Sequence, residues 1–94
     1  MLLKFSIYDS KAEAFITPFY QPTAGVALRM FEAAANDPST TICLHSGDFT
    51  LFELGSWDPL TGDEIQLETK INHGLAIQYQ TNQHNTSLPI TDTP

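Results

Sequence analysis

The stretch GDFTLFELGSWDPLTGDE, residues 47–64, decides the fold of this chain. Its first half is rich in large apolar side chains, and its second half is a turn of Pro, Asp and Gly. Bulky residues at odd and even positions alike are typical of a central strand covered on both faces. We expect one face to carry Phe49, Leu51 and Trp57, and the other to carry Phe52 and Leu54.

Further strands are predicted on both sides of this stretch. Near the start of the chain, Leu3, Phe5 and Ile7 alternate with polar residues, as in a strand with one buried face. Residues 64–71 alternate after the turn at 58–63, with the odd-numbered residues facing inward. A second turn is predicted at 72–74 and a last strand at 75–79. Residues 15–22, FITPFYQP, contain two prolines and are therefore expected to form an edge strand or an extended loop.

A single helix is predicted between these strands. Thr23 is a favourable N-cap residue, and the helical pattern runs to about Ala35. Asn36 can end the helix in the left-handed conformation, and Pro38 prevents its continuation. The chain is therefore predicted to be an α+β domain with one helix packed on a small, mostly antiparallel sheet of about four strands.

The helix is more apolar than one sheet contact requires. Its surface is apolar over roughly 220° at 100° per residue, whereas packing on one sheet needs a stripe of a little over 100°. We therefore expect a second copy of the chain to cover the excess in a homodimer, unless the segment 15–20 folds back over it. The candidate interface residues are Val26, Leu28, Met30, Phe52, Leu54 and Trp57.

Length and composition set further limits. Ninety-four residues are enough for one domain, which we place at residues 1–80, and the polar residues 81–94 are expected to form a flexible tail. Eleven acidic residues against four basic ones give a net charge of −7, which opposes strong non-specific binding to nucleic acid. A single cysteine and the lack of a signal peptide or membrane span predict an intracellular protein.

No residue pattern predicts catalysis or metal binding. Cys43 and His45 could supply two metal ligands, with His73, His84 or Asp48 added, but zinc sites normally show a second paired motif. The carboxylates of Asp58, Asp63 and Glu64 flank a hairpin turn, where solvated acids are expected, and the serines lack a nucleophile motif such as G-x-S-x-G. The sequence therefore predicts a binding protein without a metal, a cofactor or enzymatic activity.

Aromatic residues close to cations in the sequence are candidates for DNA contact, because stacking on rings beside positive charge is how proteins bind single strands without sequence preference. These residues are Lys4, Tyr8, Lys11, Phe19, Tyr20 and Arg29. The alternative is that the rings cap the open end of the hydrophobic core.

Three separated segments also resemble a known family. The start KFSIYDSKAEAF, the helix PTAGVALRMFEAAANDP and the strand DFTLFELGSWDPLTG are similar, in order and spacing, to the small nonstructural protein of gokushoviruses, the single-stranded DNA phages of the Microviridae. The resemblance covers about residues 3–80. It implies an early phage protein of the host cytoplasm that binds DNA and favours the switch from duplex to single-stranded genome synthesis, and it implies no particular binding residue.

Two functions are consistent with these observations. The first is a replication protein that contacts single-stranded DNA weakly, or contacts the complex that replicates it. The second is an acidic protein–protein interaction module that binds a viral or host protein and never touches DNA.

Overall fold

A computed structural model describes residues 1–81 of the chain, and these residues form an α+β fold. The strands are β1 (Leu2–Asp9), β2 (Ala14–Phe15), β3 (Phe19–Gln21), β4 (Phe49–Trp57) and β5 (Glu64–Leu75). The helices are α1 (Ala24–Ala35) and the one-turn α2 (Thr41–Leu44), with 3-10 turns at Ser46–Asp48 and Ala76–Tyr79. The predicted tail, apart from Thr81, lies outside the described residues.

All strand pairs in the sheet are antiparallel. Strand β4 lies between β1 and β5, which confirms the prediction that residues 49–57 form a central strand. The other edge of β1 pairs with β2 near Tyr8 and with β3 near Lys4. The proline-containing segment that joins β2 to β3 is thus an edge, as predicted, because proline cannot donate a ladder hydrogen bond.

The hydrophobic core lies between one face of the sheet and helix α1. Strands β1 and β4 contribute Phe5, Ile7, Phe49 and Leu51, and the helix contributes Ala27, Phe31 and Ala35, all at most 7% exposed. Leu3, Phe19, Leu28, Ile42 and Tyr79 pack around this cluster. Alanines at the contact let the helix approach the sheet closely.

Helix α1 begins at the predicted cap and ends differently from the prediction. The Thr23 side chain accepts a hydrogen bond from the Val26 amide at 3.2 Å, as an N-cap residue does. Asn36 has φ −105°, so the predicted left-handed ending is wrong. Its side-chain amide instead donates to the carbonyls of Glu32 and Tyr79, which ties the helix end to the 3-10 turn after β5.

Strand β4 changes face part-way along its length, which corrects the predicted orientation of Trp57. The pairing with β1 shifts between Lys4 and Phe5, where Glu53 pairs with Phe5 and Gly55 with Lys4, so Leu54 is an extra residue. A bulge of this kind reverses the side on which the following residues point. Trp57 therefore lies on the same face as Phe52 and opposite Phe49, because odd and even positions exchange roles at Leu54.

The part of the sheet predicted after the hairpin turn at 58–63 also differs in the structure. Strand β5 continues through the predicted turn at 72–74, and the predicted last strand is a 3-10 turn. The predicted inward face of β5 is wrong as well, since Ile65 and Ile71 are 55% and 43% exposed. The β4–β5 hairpin extends beyond the helix, so there is no layer to bury that face.

The connection between α1 and β4 contains helical turns. Thr40 caps α2 by accepting a hydrogen bond from the Cys43 amide. The Gln80 amide nitrogen donates to the carbonyls of Ala35 and Cys43, while its oxygen accepts from Ser46. These contacts hold the connection against the end of α1.

Candidate nucleic-acid interface

The face of the sheet that points away from α1 carries most of the aromatic surface of the protein. We call it the open face. Lys4 points away from the core, because its neighbour Phe5 points into it. Side chains of cross-strand partners lie on the same face of a sheet, so the partners of Lys4, which are Tyr20 and Gly55, also belong to the open face. The members that pair in this register include Leu2, Lys4, Ser6, Tyr8, Phe15, Tyr20, Thr50, Phe52, Trp57, Glu64, Gln66 and Asn72. Leu54 and Lys70 have no partner in this register and line a cleft beside Lys4. None of them belongs to the core cluster.

A first group of rings lies at the β2 end of the open face. The rings of Tyr8 and Phe15 are 5.0 Å apart, and those of Phe15 and Phe52 are 5.6 Å apart in an edge-on arrangement. Phe15 is 42% exposed although it contacts both neighbours. Three strands thus present a connected aromatic surface to solvent.

A second pair of rings lies at the opposite end. Tyr20 on β3 and Trp57 on β4 meet edge to face, with their ring centroids 6.2 Å apart. Together with Leu2 they line an open apolar depression. Since Trp57 pairs with Leu2 and Glu64, the depression lies where the β4–β5 hairpin leaves the sheet.

Charged groups lie beside this second pair. Glu64 receives two hydrogen bonds, one from Lys4 Nζ to Oε1 at 3.2 Å and one from the Tyr20 hydroxyl to Oε2 at 2.7 Å. The hydrogen bond from Tyr20, and then that from Lys4, holds the pKa of the Glu64 carboxyl below its ordinary value. The same contact with Glu64 raises the pKa of the Tyr20 hydroxyl.

A cleft of about 180 Å³ adjoins this cluster, lined by Lys4, Leu54, Glu64, Ile65, Gln66 and Lys70. It forms because β5 bulges: Ile71 pairs with Glu53 and Gln66 with Gly55, so residues 67–70 oppose Leu54 alone. A Cβ atom on Gly55 would collide with the Ile65 carbonyl, so only glycine lets β5 come this close. The bulge brings Lys70 to the cleft that Lys4 also lines.

The cleft on the open face differs in charge from the rest of the protein. Its charged lining residues are Lys4, Lys70 and Glu64, two positive and one negative, whereas the whole chain has a net charge of −7. The bulge therefore brings together two of the four cations of the sequence.

The structure brings some of the predicted DNA-contacting residues together and separates others. Lys4, Tyr8 and Tyr20 lie on the open face. Lys11 lies in the turn between β1 and β2 and lines a different depression, with His45 and the core residue Phe49. Phe19 is on the core side, stacked on Phe5 with centroids 5.8 Å apart. Arg29 is exposed on α1, so it lies on another layer of the molecule.

The six candidate interface residues also divide between two surfaces. Phe52 and Trp57 belong to the open face, and Leu54 lines its cleft. Val26, Leu28 and Met30 lie on α1, where Leu28 packs against the core and Met30 is 47% exposed. One flat contact with a second copy cannot contain both groups.

Sequence reasoning missed Lys70 as part of a site and treated Glu64 only as a solvated acid of the hairpin turn. Both stand in an alternating segment that looks like an ordinary surface strand. The pairing of Glu64 with Lys4 spans sixty positions and depends on the register of the sheet. Phe15 was visible as an aromatic residue, but its place between Tyr8 and Phe52 follows from the β1–β2 pairing.

Two of the other groups considered for chemistry have structural partners. Asp58 accepts a hydrogen bond from the Leu60 amide within the hairpin turn, and His73 contacts Glu53 at 3.0 Å beside the Phe5 ring. Within residues 1–81 no three His, Cys, Asp or Glu side chains are grouped so that they could hold a metal ion, and His84 lies outside this range. No helix in the same range has the length and hydropathy of a membrane span.

Comparison with known proteins identifies the family. Residues 2–77 match the model of a family described as "Phage ORF5 protein", and the chain belongs to that family. No curated protein and no solved structure matches the chain.

Proposed function

We propose that this phage ORF5 family member is a non-enzymatic protein of viral DNA replication that binds single-stranded DNA weakly through the open face. It acts without a metal or an organic cofactor. The gokushovirus resemblance of its three segments supports a role in the switch to single-stranded genome synthesis in the host cytoplasm.

The observation that carries the proposal is the composition of the open face. Five rings, those of Tyr8, Phe15, Phe52, Tyr20 and Trp57, lie on one side of a sheet, and Lys4 and Lys70 lie beside them. Single-strand binding proteins combine such rings, on which bases stack, with cations that follow the phosphate backbone. The excess of acids elsewhere keeps the affinity low.

Binding should be measurable only at low ionic strength. If Lys4 and Lys70 each neutralise one phosphate, log K should fall with log salt with a slope of about −1.4, at about 0.7 per phosphate for single strands. Fluorescence anisotropy of a labelled oligo-dT titrated with the full chain at several salt concentrations measures this slope. No binding at high micromolar protein in the lowest salt would refute direct DNA contact.

A protein partner is the second candidate function. The observation that favours it is the position of Tyr20 and Trp57 at the base of a hairpin whose turn carries Asp58 and Asp63, with Glu64 in contact. Half-buried rings bordered by carboxylates suit a basic protein segment, through cation–π contact and charge complementarity. A pull-down from infected cells separates the two candidates, because a partner that survives nuclease treatment and is lost in Trp57→Ala requires no DNA.

We further propose that two copies associate through the outer surface of α1, which leaves the open face free. Met30→Glu should then convert a dimer into a ~10 kDa monomer without unfolding it, since Met30 is already half exposed. Light scattering at high micromolar concentration measures the mass. Leu60→Glu is the matched control, because it makes the same change of charge at the hairpin turn, where Leu60 is 93% exposed. A wild-type chain that stays monomeric would contradict this proposal.

A further inference from the structure

The Lys4–Glu64–Tyr20 cluster has the composition of an anion-binding site in which the Glu64 carboxylate is the bound anion. Lys4 and Tyr20 each direct a donor at the same carboxylate, and each takes a different oxygen of it. The pairing brings together residues from three strands, β1, β3 and β5. The donors are thus positioned by the register of the sheet rather than by a flexible loop.

We propose that the cleft beside Lys4 and Lys70 is a phosphodiester-binding site of single-stranded DNA, and that Glu64 is its built-in competitor. The inference rests on the proposed function and names both the contact and its regulation. A phosphodiester carries one negative charge and two free oxygens, as a carboxylate does, so it can accept the same two hydrogen bonds. Binding then requires the Glu64 side chain to leave these donors.

The surroundings of the cluster are compatible with this exchange. The Glu64 side chain is 49% exposed, so it can turn into solvent, whereas that of Lys4 is only 27% exposed and stays in the cleft. Lys70 lines the same cleft and, in the described part of the chain, forms no ion pair. The Tyr20–Trp57 pair lies directly beside the donors, so a base adjoining the bound phosphate can stack there.

An exposed ion pair of this kind is weak, which makes the competition adjustable. Such pairs contribute about 0–1 kcal/mol in water, so a phosphate held by a second cation and a stacked base can displace the carboxylate. Glu64 also repels any anion that approaches Lys4. Glu64 therefore lowers the affinity of the cleft for any anion. A ligand must supply a stacking base as well as a phosphate to displace it.

Glu64→Gln is the direct test, because it removes the competing charge and keeps the size of the side chain. We expect the affinity of the full chain for oligo-dT at low salt to rise about two- to fivefold. The gain should disappear in the double variant Lys4→Gln/Glu64→Gln, since the freed donor is then missing. Glu32→Gln on helix α1 is the matched control, with the same change of net charge away from the open face.

The outcomes separate this inference from the proposed function. Wild-type binding without a gain in Glu64→Gln beyond that in Glu32→Gln would overturn the competitor role and leave DNA binding intact. Loss of detectable binding in wild type and all variants would overturn both. Inorganic phosphate, titrated in parallel, should compete with oligo-dT only weakly, and competition equal to that of unlabelled oligo-dT would show a free-phosphate site instead.

Discussion

Phe5→Ala is expected to lower the free energy of unfolding by about 3–5 kcal/mol, the range observed when a buried phenylalanine is truncated. Phe5 is fully buried, stacks on Phe19 and lies between helix α1 and the bulge at Leu54. A chain of this size has little stability to lose, since small domains unfold with about 5–15 kcal/mol. We therefore expect the variant to be largely unfolded at physiological temperature.

Urea denaturation followed by circular dichroism measures this loss. Leu60→Ala is the control, because Leu60 is 93% exposed at the hairpin turn and its truncation should change the stability by less than about 0.5 kcal/mol. A loss below 1 kcal/mol in Phe5→Ala would show that the core is not centred on β1 as described.

Replacing one ring from each aromatic group of the open face should have the largest effect on DNA binding. Tyr8→Leu and Trp57→Leu keep an apolar side chain but remove the surface on which a base stacks. Each stacked base contributes about 1–3 kcal/mol, which corresponds to about a five- to 150-fold loss of affinity per site. The two groups lie at opposite ends of the face, so the losses should add in the double variant.

The same anisotropy titration measures these variants. Ile77→Ala is the control, because it truncates a side chain that is 51% exposed in the 3-10 turn outside the open face. Its affinity should equal that of the wild type, and unfolding curves should show that all variants are folded. A double variant that still binds with wild-type affinity would exclude the open face as the DNA-binding surface.

The sequence was sufficient to predict the parts of the fold that depend on local physics. The central strand, the proline-interrupted edge and the N-cap at Thr23 follow from side-chain size, proline chemistry and capping. Alternation around Phe5 also identified the strand that carries much of the core. Each of these signals lies within a few neighbouring residues.

The sequence-based predictions were wrong where the structure departs from the regular alternation of a strand or where an element depends on residues far away in the sequence. The extra residue Leu54 reverses the orientation of Trp57, and a bulge leaves no trace in a hydrophobic pattern. Strand β5 alternates as a half-buried strand does, yet the helix does not reach far enough to cover it. The ending of α1 depends on Tyr79, forty-three positions away, which no local rule can anticipate.

The candidate site was predictable only where its residues are neighbours in the sequence. Lys4, Tyr8 and Tyr20 were found because aromatic and basic residues stand close together near the start of the chain. Phe19, one position from Tyr20, was included although strand alternation places it on the core side. Glu64 and Lys70 reach the site only through the β4–β5 hairpin and its bulge.

Trp57 offers the most direct measurement of the central claim that the open face binds single-stranded DNA. It is the one tryptophan in the sequence, so its emission reports on this face alone. Titration of the full chain with oligo-dT at low salt should quench the Trp57 emission as a base stacks beside it, and added salt should reverse the quenching. Emission unchanged at DNA concentrations where anisotropy shows binding would place the DNA elsewhere and contradict the account.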